Sequence, residues 1–439
     1  MKKRMSPRTV KGSNARGAEA RRHRRRSRRR ALRLESLEGR RLLAVYSVTT
    51  SNLTGEGSLL EAVEMANTND GEDTIKFNPG LRIDLTTEDS AARAGVVRLT
   101  ESVIIEGNGS TIFSRPTWID TSGQVNEDSS ADNPGTILVS QAMRFLKIGI
   151  DNEDNSQIEV TVQDLNAEEQ HNFAIVEQKS SLTEDNVTMS GFRAITPLDE
   201  AIITSYGDES NLTIRNTTIS KANSFSDVAY VGDSVYAFAG GIGGEGTLVM
   251  ENVTMRDNET AGAINWSGNA TIVSSRFVDA GGLQHFDGNV SVVNSIFDFG
   301  GNSNDGENSI VAGPGANIDL IATTVRIDFH GGPPSSGGEI EYSGQPLQAW
   351  GGSLNLIGSA VYGGQAGEEF GPFPGIAYYA TQGGTFSADD NSWVSTVDDQ
   401  GADALKALFQ NTNLRTDGLG LSTFPIEAYP QSVTPLVGT

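Results

Sequence analysis

The chain has 439 residues, 56 Asp and Glu against 33 Lys and Arg, a formal net charge of −23 at pH 7, and no cysteine. The missing thiols exclude a disulfide framework, a Cys-based zinc site and a thiol nucleophile, and no apolar run reaches the roughly 18 residues that an ordinary membrane-spanning helix needs. Fifty glycines beside 37% hydrophobic residues suit repetitive β structure rich in turns.

The charge is divided along the chain. Residues 1–44 hold 17 Lys and Arg against 3 Asp and Glu, leaving 16 basic and 53 acidic residues for 45–439. The stretch Arg21 to Arg30 is too self-repelling to pack, so 1–44 reads as a disordered basic leader. Just beyond it, Leu34-Glu35-Ser36-Leu37-Glu38-Gly39-Arg40-Arg41-Leu42-Leu43-Ala44 resembles the LEPR-XLL motif near the N-termini of extracellular proteins of planctomycete-type bacteria, with Gly39 where that family has Pro. The resemblance implies export, since Leu42 to Val45 is shorter than the apolar region of a usual signal peptide. A nucleic-acid arm through Arg21 to Arg33 is the competing reading, and the acidic body opposes it.

Residues 45–115 read as an N-terminal cap with the first rungs of a solenoid. Ser58-Leu59-Leu60-Glu61 has capping-box spacing, and Leu59, Val63 and Ala66 share one face of a short helix expected to end before Asn67. Such a helix would cover the open edge of a coil stack.

The body over 116–330 is defined by repetition. Six segments, starting at Leu182, Leu212, Leu248, Ala270, Val290 and Ile318, share one order: apolar, any, mostly apolar, any, Asn or small, small, any, apolar. Alternation places two side chains inward, and the fifth residue turns the strand. Those fifth residues are Asn186, Asn216, Asn252, Ser274, Asn294 and Ala322. The shortest spacings, about 20 residues, equal one coil, so the longer ones carry loop insertions. Asn suits the turn because it tolerates left-handed backbone angles, and the four asparagines are expected to stack along one edge.

The expected fold is therefore all-β, a right-handed parallel β-helix with a short N-terminal capping helix. Tyr46-Ser-Val, Gly55-Glu-Gly57-Ser58-Leu59-Leu60, Asp73-Thr74-Ile75 and the later Gly240-Gly241-Ile242 rung resemble bacterial surface β-helix proteins related to the polymorphic outer-membrane repeats. That resemblance implies the fold and a surface location. Over 331–439 the pattern loosens. Asn355 to Gly358 and Val361 to Gly364 read as last rungs, Ala402 to Gln410 as a helix, and Pro425 to Thr439 as a closing segment.

Chemistry is sparse. Arg326, Asp328 and His330 would share one face of a strand and supply a cation, an acid and an imidazole, the local cluster best suited to a polysaccharide lyase. His285 with Asp279 and Asp287 forms a second group, expected to decorate a loop between rungs. Gly241-Ile-Gly243-Gly-Glu-Gly246 has dinucleotide-fingerprint spacing, but Thr247-Leu-Val-Met continues as strand where that motif requires a helix. Asp389-Asp390 and Asp398-Asp399 are oxygen-rich candidates for Ca²⁺, though no calcium loop surrounds them. Neither a catalytic set nor a cofactor or metal site is assigned, and no nucleic-acid partner is expected. The reading is an exported, non-catalytic cell-surface or matrix protein contacting carbohydrate or other cell-envelope polymer. The alternative is a lyase or glycoside hydrolase on the same scaffold.

Overall fold

The structure, a computed structural model, describes residues 43–85, 97–114, 117–120, 136–140, 144–149, 158–169, 172–194, 202–221, 223–224, 229–231, 234–236, 242–258, 262–299, 310–327, 347–362, 378–394 and 402–416. The chain divides into two units, 1–42 and 43–439. Everything described belongs to the second unit, which is a parallel β-helix: 29 strands join one sheet, and every pairing within it is parallel.

Each coil runs through three short strands, which stack into three walls. The coil at Gly282–His285, Gly288–Val293 and Ile296–Phe299 illustrates walls one, two and three in chain order. Its strands pair with Gly262–Val273 and Arg276–Val278 of the previous coil, and with Ile310–Ala312, Ala316–Ile321 and Thr324–Ile327 of the next. Stacking satisfies each backbone with the coils on either side, while period-two alternation sends every second side chain inward. One inward row runs Val160, Leu182, Leu212, Leu248, Ala270, Val290, Ile318 and Leu354, all buried. In wall three Phe277 and Phe297 stack face to face, centroids 4.4 Å apart.

The corner between walls two and three is the expected ladder, and it is longer than the six aligned segments. Asn108, Asp164, Asn186, Asn216, Asn252, Ser274, Asn294 and Ala322 all hold φ between 48 and 56°. Asn186 Nδ2 donates to Asp164 Oδ1 at 2.6 Å, and Asn294 Nδ2 donates to Ser274 Oγ at 3.3 Å. Where the residue after a ladder position is Ser or Thr, its hydroxyl has a role of its own. The Val253 N–H donates to Ser275 Oγ, Ser275 N–H to Ser295 Oγ, Thr323 N–H to Ser359 Oγ and Ser359 N–H to Ser392 Oγ, at 3.0–3.2 Å. These buried hydroxyls supply acceptors that the turning backbone lacks.

A second left-handed corner ends wall three. Glu169, Gly191, Lys221, Asp257 and Asp279 have positive φ there, and each N–H donates to a carbonyl of the next coil. Most insertions open at this end of the coil. The intervals 86–96, 115–143, 195–201, 222–241, 300–309, 328–346 and 363–377 all separate wall three from wall one. Two small hairpins, Thr117–Asp120 with Thr136–Ser140 and Ala229–Val231 with Ser234–Tyr236, lie in this set.

Helix α1 (Leu59–Thr68) caps one end. Ser58 Oγ accepts from the Glu61 N–H at 3.3 Å while the Glu61 carboxylate accepts from the Gly57 N–H, and Leu59, Ala62, Val63 and Ala66 are buried. The helix does not stop before Asn67 but continues to Thr68. Asn67 is retained because its amide bonds the Arg98 carbonyl and the Thr100 N–H, tying helix to strand. At the other end, α2 (Ala402–Leu408) leads to Phe409, which packs on Tyr378 and Phe386 of the last described coil. The region after 331 keeps the grammar through two further coils, ending at Trp393–Val394. Residues 1–42 of the expected leader 1–44 and the segment Pro425 to Thr439 lie outside the described residues, whereas Leu43 and Ala44 belong to the second unit.

Candidate functional site

Arg326 lies in wall three on strand Thr324–Ile327, where the coil register sets it between Asp298 and Tyr362. Its Nε stands 3.9 Å from Asp298 Oδ1, and both side chains are largely buried. Arg326 therefore has an axial counter-charge one coil back. Asp328 and His330, the other members of the trio, lie outside the described residues.

His285 corrects an expectation. It does not decorate a loop. It ends strand Gly282–His285, is fully buried, and occupies an inward position between Trp266 and Ala312. Burial pulls its pKa below the ordinary value, against backbone groups of Gly288, Trp266 and Gly268 and the charge of Asp287. The imidazole is a neutral core side chain at physiological pH. Asp279 and Asp287 are both exposed, so the group does not converge. The reason is periodicity: Leu283 and His285 are two apart and both face inward.

Gly246 lies within strand Ile242–Glu251, so the Gly243-to-Gly246 run is wall, with no helix after it. Asp389 serves as a turn acceptor, taking hydrogen bonds from Ser392 Oγ at 2.6 Å and the Gly358 N–H at 2.9 Å. Partial burial acts to raise its pKa, but the bonds from Ser392, Gly358 and Asn391 prevail and hold it below the usual carboxylate value. Its neighbour Asp390 faces the Asn413 amide, while Asp398 and Asp399 lie outside the described residues. Among the described residues no group of three or more His, Cys, Asp or Glu is arranged to hold a metal ion, and no helix is long and apolar enough to cross a membrane.

Two features escaped the sequence reading. The first is Glu184, which takes the place of an aliphatic residue in the inward row between Val162 and Ile214. It is fully buried, neither carboxyl oxygen finds a hydrogen-bond partner, and burial pushes its pKa well above the ordinary value. The repeat alignment held the signal, because Glu184 stands where the other segments carry apolar residues.

The second is the outer face of wall two. Its outward side chains form axial columns: Asn211, Thr247, Asn269, Asn289, Asn317, Ser353 and Thr385 in one, and Thr213, Val249, Thr271, Ser291, Asp319, Asn355 and Ser387 in the next. Many are bonded to one another along the axis. Ser353 Oγ donates to Asn317 Oδ1 at 2.6 Å, Asn355 Nδ2 to Asp319 Oδ1 at 2.7 Å, and Ser387 Oγ to Asn355 Oδ1 at 2.6 Å. Charges elsewhere are also matched from coil to coil, as in Lys147 with Glu177 at 3.3 Å and Arg215 with Glu251 at 3.5 Å. A regular hydroxyl and amide surface of this kind can bind an extended polar ligand at many points. No protein-family model matches the chain, and no curated protein matches its sequence.

Proposed function

We propose that this protein is exported and acts without catalysis at the cell surface or in the matrix, where its β-helix contacts carbohydrate or other envelope polymer. The observation that carries the reading is the outer face of wall two, where polar side chains stand in axial columns already bonded to one another. Such side chains lose little freedom on binding, and a long ligand can collect many weak contacts from them. Export is supported by the Arg-rich leader and by the resemblance of Leu34 to Ala44 to the LEPR-XLL motif. The structural setting of Arg326, beside Asp298, favours a scaffold role for the residue best placed by sequence to act in a lyase.

The test joins location with binding. Producing cells are fractionated, and purified full-length protein is sedimented with isolated envelope polysaccharide. The protein is expected in the medium or surface fraction, and it is expected to sediment with the polymer. Retention in the cytoplasm together with no sedimentation would end the proposal. Incubation with pectin and alginate, with and without Ca²⁺, is expected to give no ultraviolet-absorbing unsaturated product. Product formation that is lost in Arg326→Ala would install the lyase reading.

A further inference from the structure

We propose that the outer face of wall two between Ser267 and Thr385 binds an uncharged, extended polysaccharide whose chain lies along the helix axis. The inference rests on the carbohydrate reading above and assigns the surface and the ligand class.

The face is open. In these coils the turns from wall one to wall two are short, running from Trp266 to Ala270, His285 to Gly288, Ala312 to Ala316 and Trp350 to Ser353. The opposite corner is the tight ladder turn, so the insertions of this stretch open elsewhere, between walls three and one.

Its two edges are apolar in complementary ways. On the wall-one side, Trp350 follows Ala349, which is stacked through Ala312 on His285, so Trp350 stands two coils beyond Phe286 on one corner line. The Phe286 ring reaches over Gly313 in the coil between them. A Cβ at Gly313 would lie 2.8 Å from that ring, so the missing side chain makes room for it. Trp350 is 40% exposed, a large apolar surface for solvent to carry without a partner. Two coils span about 10 Å along the axis. On the ladder side, Val273, Val293, Ile321 and Ile357 form an outward aliphatic row, with Ile357 42% exposed. Between these edges lie the hydroxyl and amide columns.

That order matches a sugar chain, which offers flat C–H faces for rings to cover and hydroxyl rims for amides and hydroxyls to bond. Charge selects the class. Across these columns and corners the ionisable residues among those described are Asp287, Asp319 and, at the ladder corner of the last coil, Asp389 and Asp390, all acidic, and the body from 45 to 439 holds 53 acidic and 16 basic residues. A uronic or sulfated polymer would meet that acidic field with no cation on the face to receive it. A neutral chain meets no such repulsion.

The experiment uses the full chain in depletion isotherms against microcrystalline cellulose and chitin as neutral probes, with pectin and alginate gels as anionic ones. Neutral polymer is expected to retain the protein and anionic polymer to leave it in solution. Trp350→Ala and Phe286→Ala are each expected to weaken retention about three- to tenfold, while Arg256→Ala on wall three leaves it unchanged. Trp350→Ala is expected to keep the thermal midpoint, which separates lost contact from lost fold. Neutral-polymer binding unchanged in both aromatic variants would overturn the assigned face and leave the carbohydrate reading standing. Preference for the anionic gels would overturn the ligand class. Failure to bind any of the four, or an isolated envelope polysaccharide, would take down both.

Discussion

Asn252 donates from Nδ2 to Oδ1 of Asn216 at 2.8 Å, across 36 residues of sequence and one step of the coil stack. Both residues hold left-handed backbone angles, φ 54° and 49°, so one residue type solves the turn and links neighbouring coils. Asn252→Ala strains the turn and leaves the Asn216 oxygen without its donor, and is expected to cost about 1–2 kcal/mol. Asn252→Gly relieves the strain alone and is expected to cost less. Ala322 occupies the same kind of turn at φ 48° with no amide to offer. Ala322→Asn is expected to stabilise by about 0.5–1 kcal/mol. Urea denaturation of the three variants would show the order, and equal stabilities would refute the account.

Glu184 predicts an unusual pH dependence. Its folded pKa is raised well above 4.5, so the folded state keeps a proton that the unfolded chain releases. Its favourable contribution is therefore complete below the unfolded carboxylate pKa and is lost as pH rises toward the folded value. Glu184→Leu, which continues the Val162 and Ile214 row, is expected to raise stability near pH 7 by about 1–3 kcal/mol. The gain should shrink as pH falls to 4. A gain independent of pH would mean that the carboxyl is ionised in the folded protein.

Gly288 and Gly109 both have positive φ but differ in their surroundings. A Cβ at Gly288 would fall 2.2 Å from the Gly268 carbonyl oxygen of the previous coil, whereas one at Gly109 meets nothing within 4 Å. Gly109→Ala should cost about 1 kcal/mol from backbone strain alone. Gly288→Ala should cost about 3 kcal/mol or more, because the coils must also part. Matched thermal midpoints for the pair would contradict the close approach of the coils.

The leader should separate from the fold at a defined residue. Ala44 N–H donates to the buried Asp73 carboxylate at 2.9 Å, and the Ala44 carbonyl accepts from Thr74. Removing 1–42 is expected to leave the thermal midpoint unchanged and to abolish export. Removing 1–44 takes away a donor to Asp73 and should lower the midpoint. Continued secretion of either truncation would remove the targeting role.

The fold was legible in the sequence wherever side-chain type reports backbone angle. Asn186, Asn216, Asn252 and Asn294 mark left-handed turns because few other residues accept them, and the flanking alternation fixes which side faces in. The corner after wall three was hidden, since Glu169, Gly191, Lys221, Asp257 and Asp279 have no one residue type in common and are held by backbone bonds to the next coil. Its insertions vary in length, which scrambled the wall-one strands and left His285 reading as loop. Phe286 and Trp350 lie far apart in sequence and meet on one line only through the register of three coils. No local pattern carries that information.

The two end caps give the described coil stack a fixed number of coils. In a bare stack the terminal strands offer unpaired N–H and C=O groups, and another chain can extend them without limit. Here α1 shields the first coils, while Phe409 packs over Tyr378 and Phe386, and Asn411 donates to the Ala388 carbonyl at 2.9 Å. Size is then counted out by the gene and not by concentration. One more unit like that from Ser275 to Asn294, spliced in register, would lengthen the body by about 4.8 Å and add one row to the polar face. The protein behaves as a ruler whose graduations are its coils.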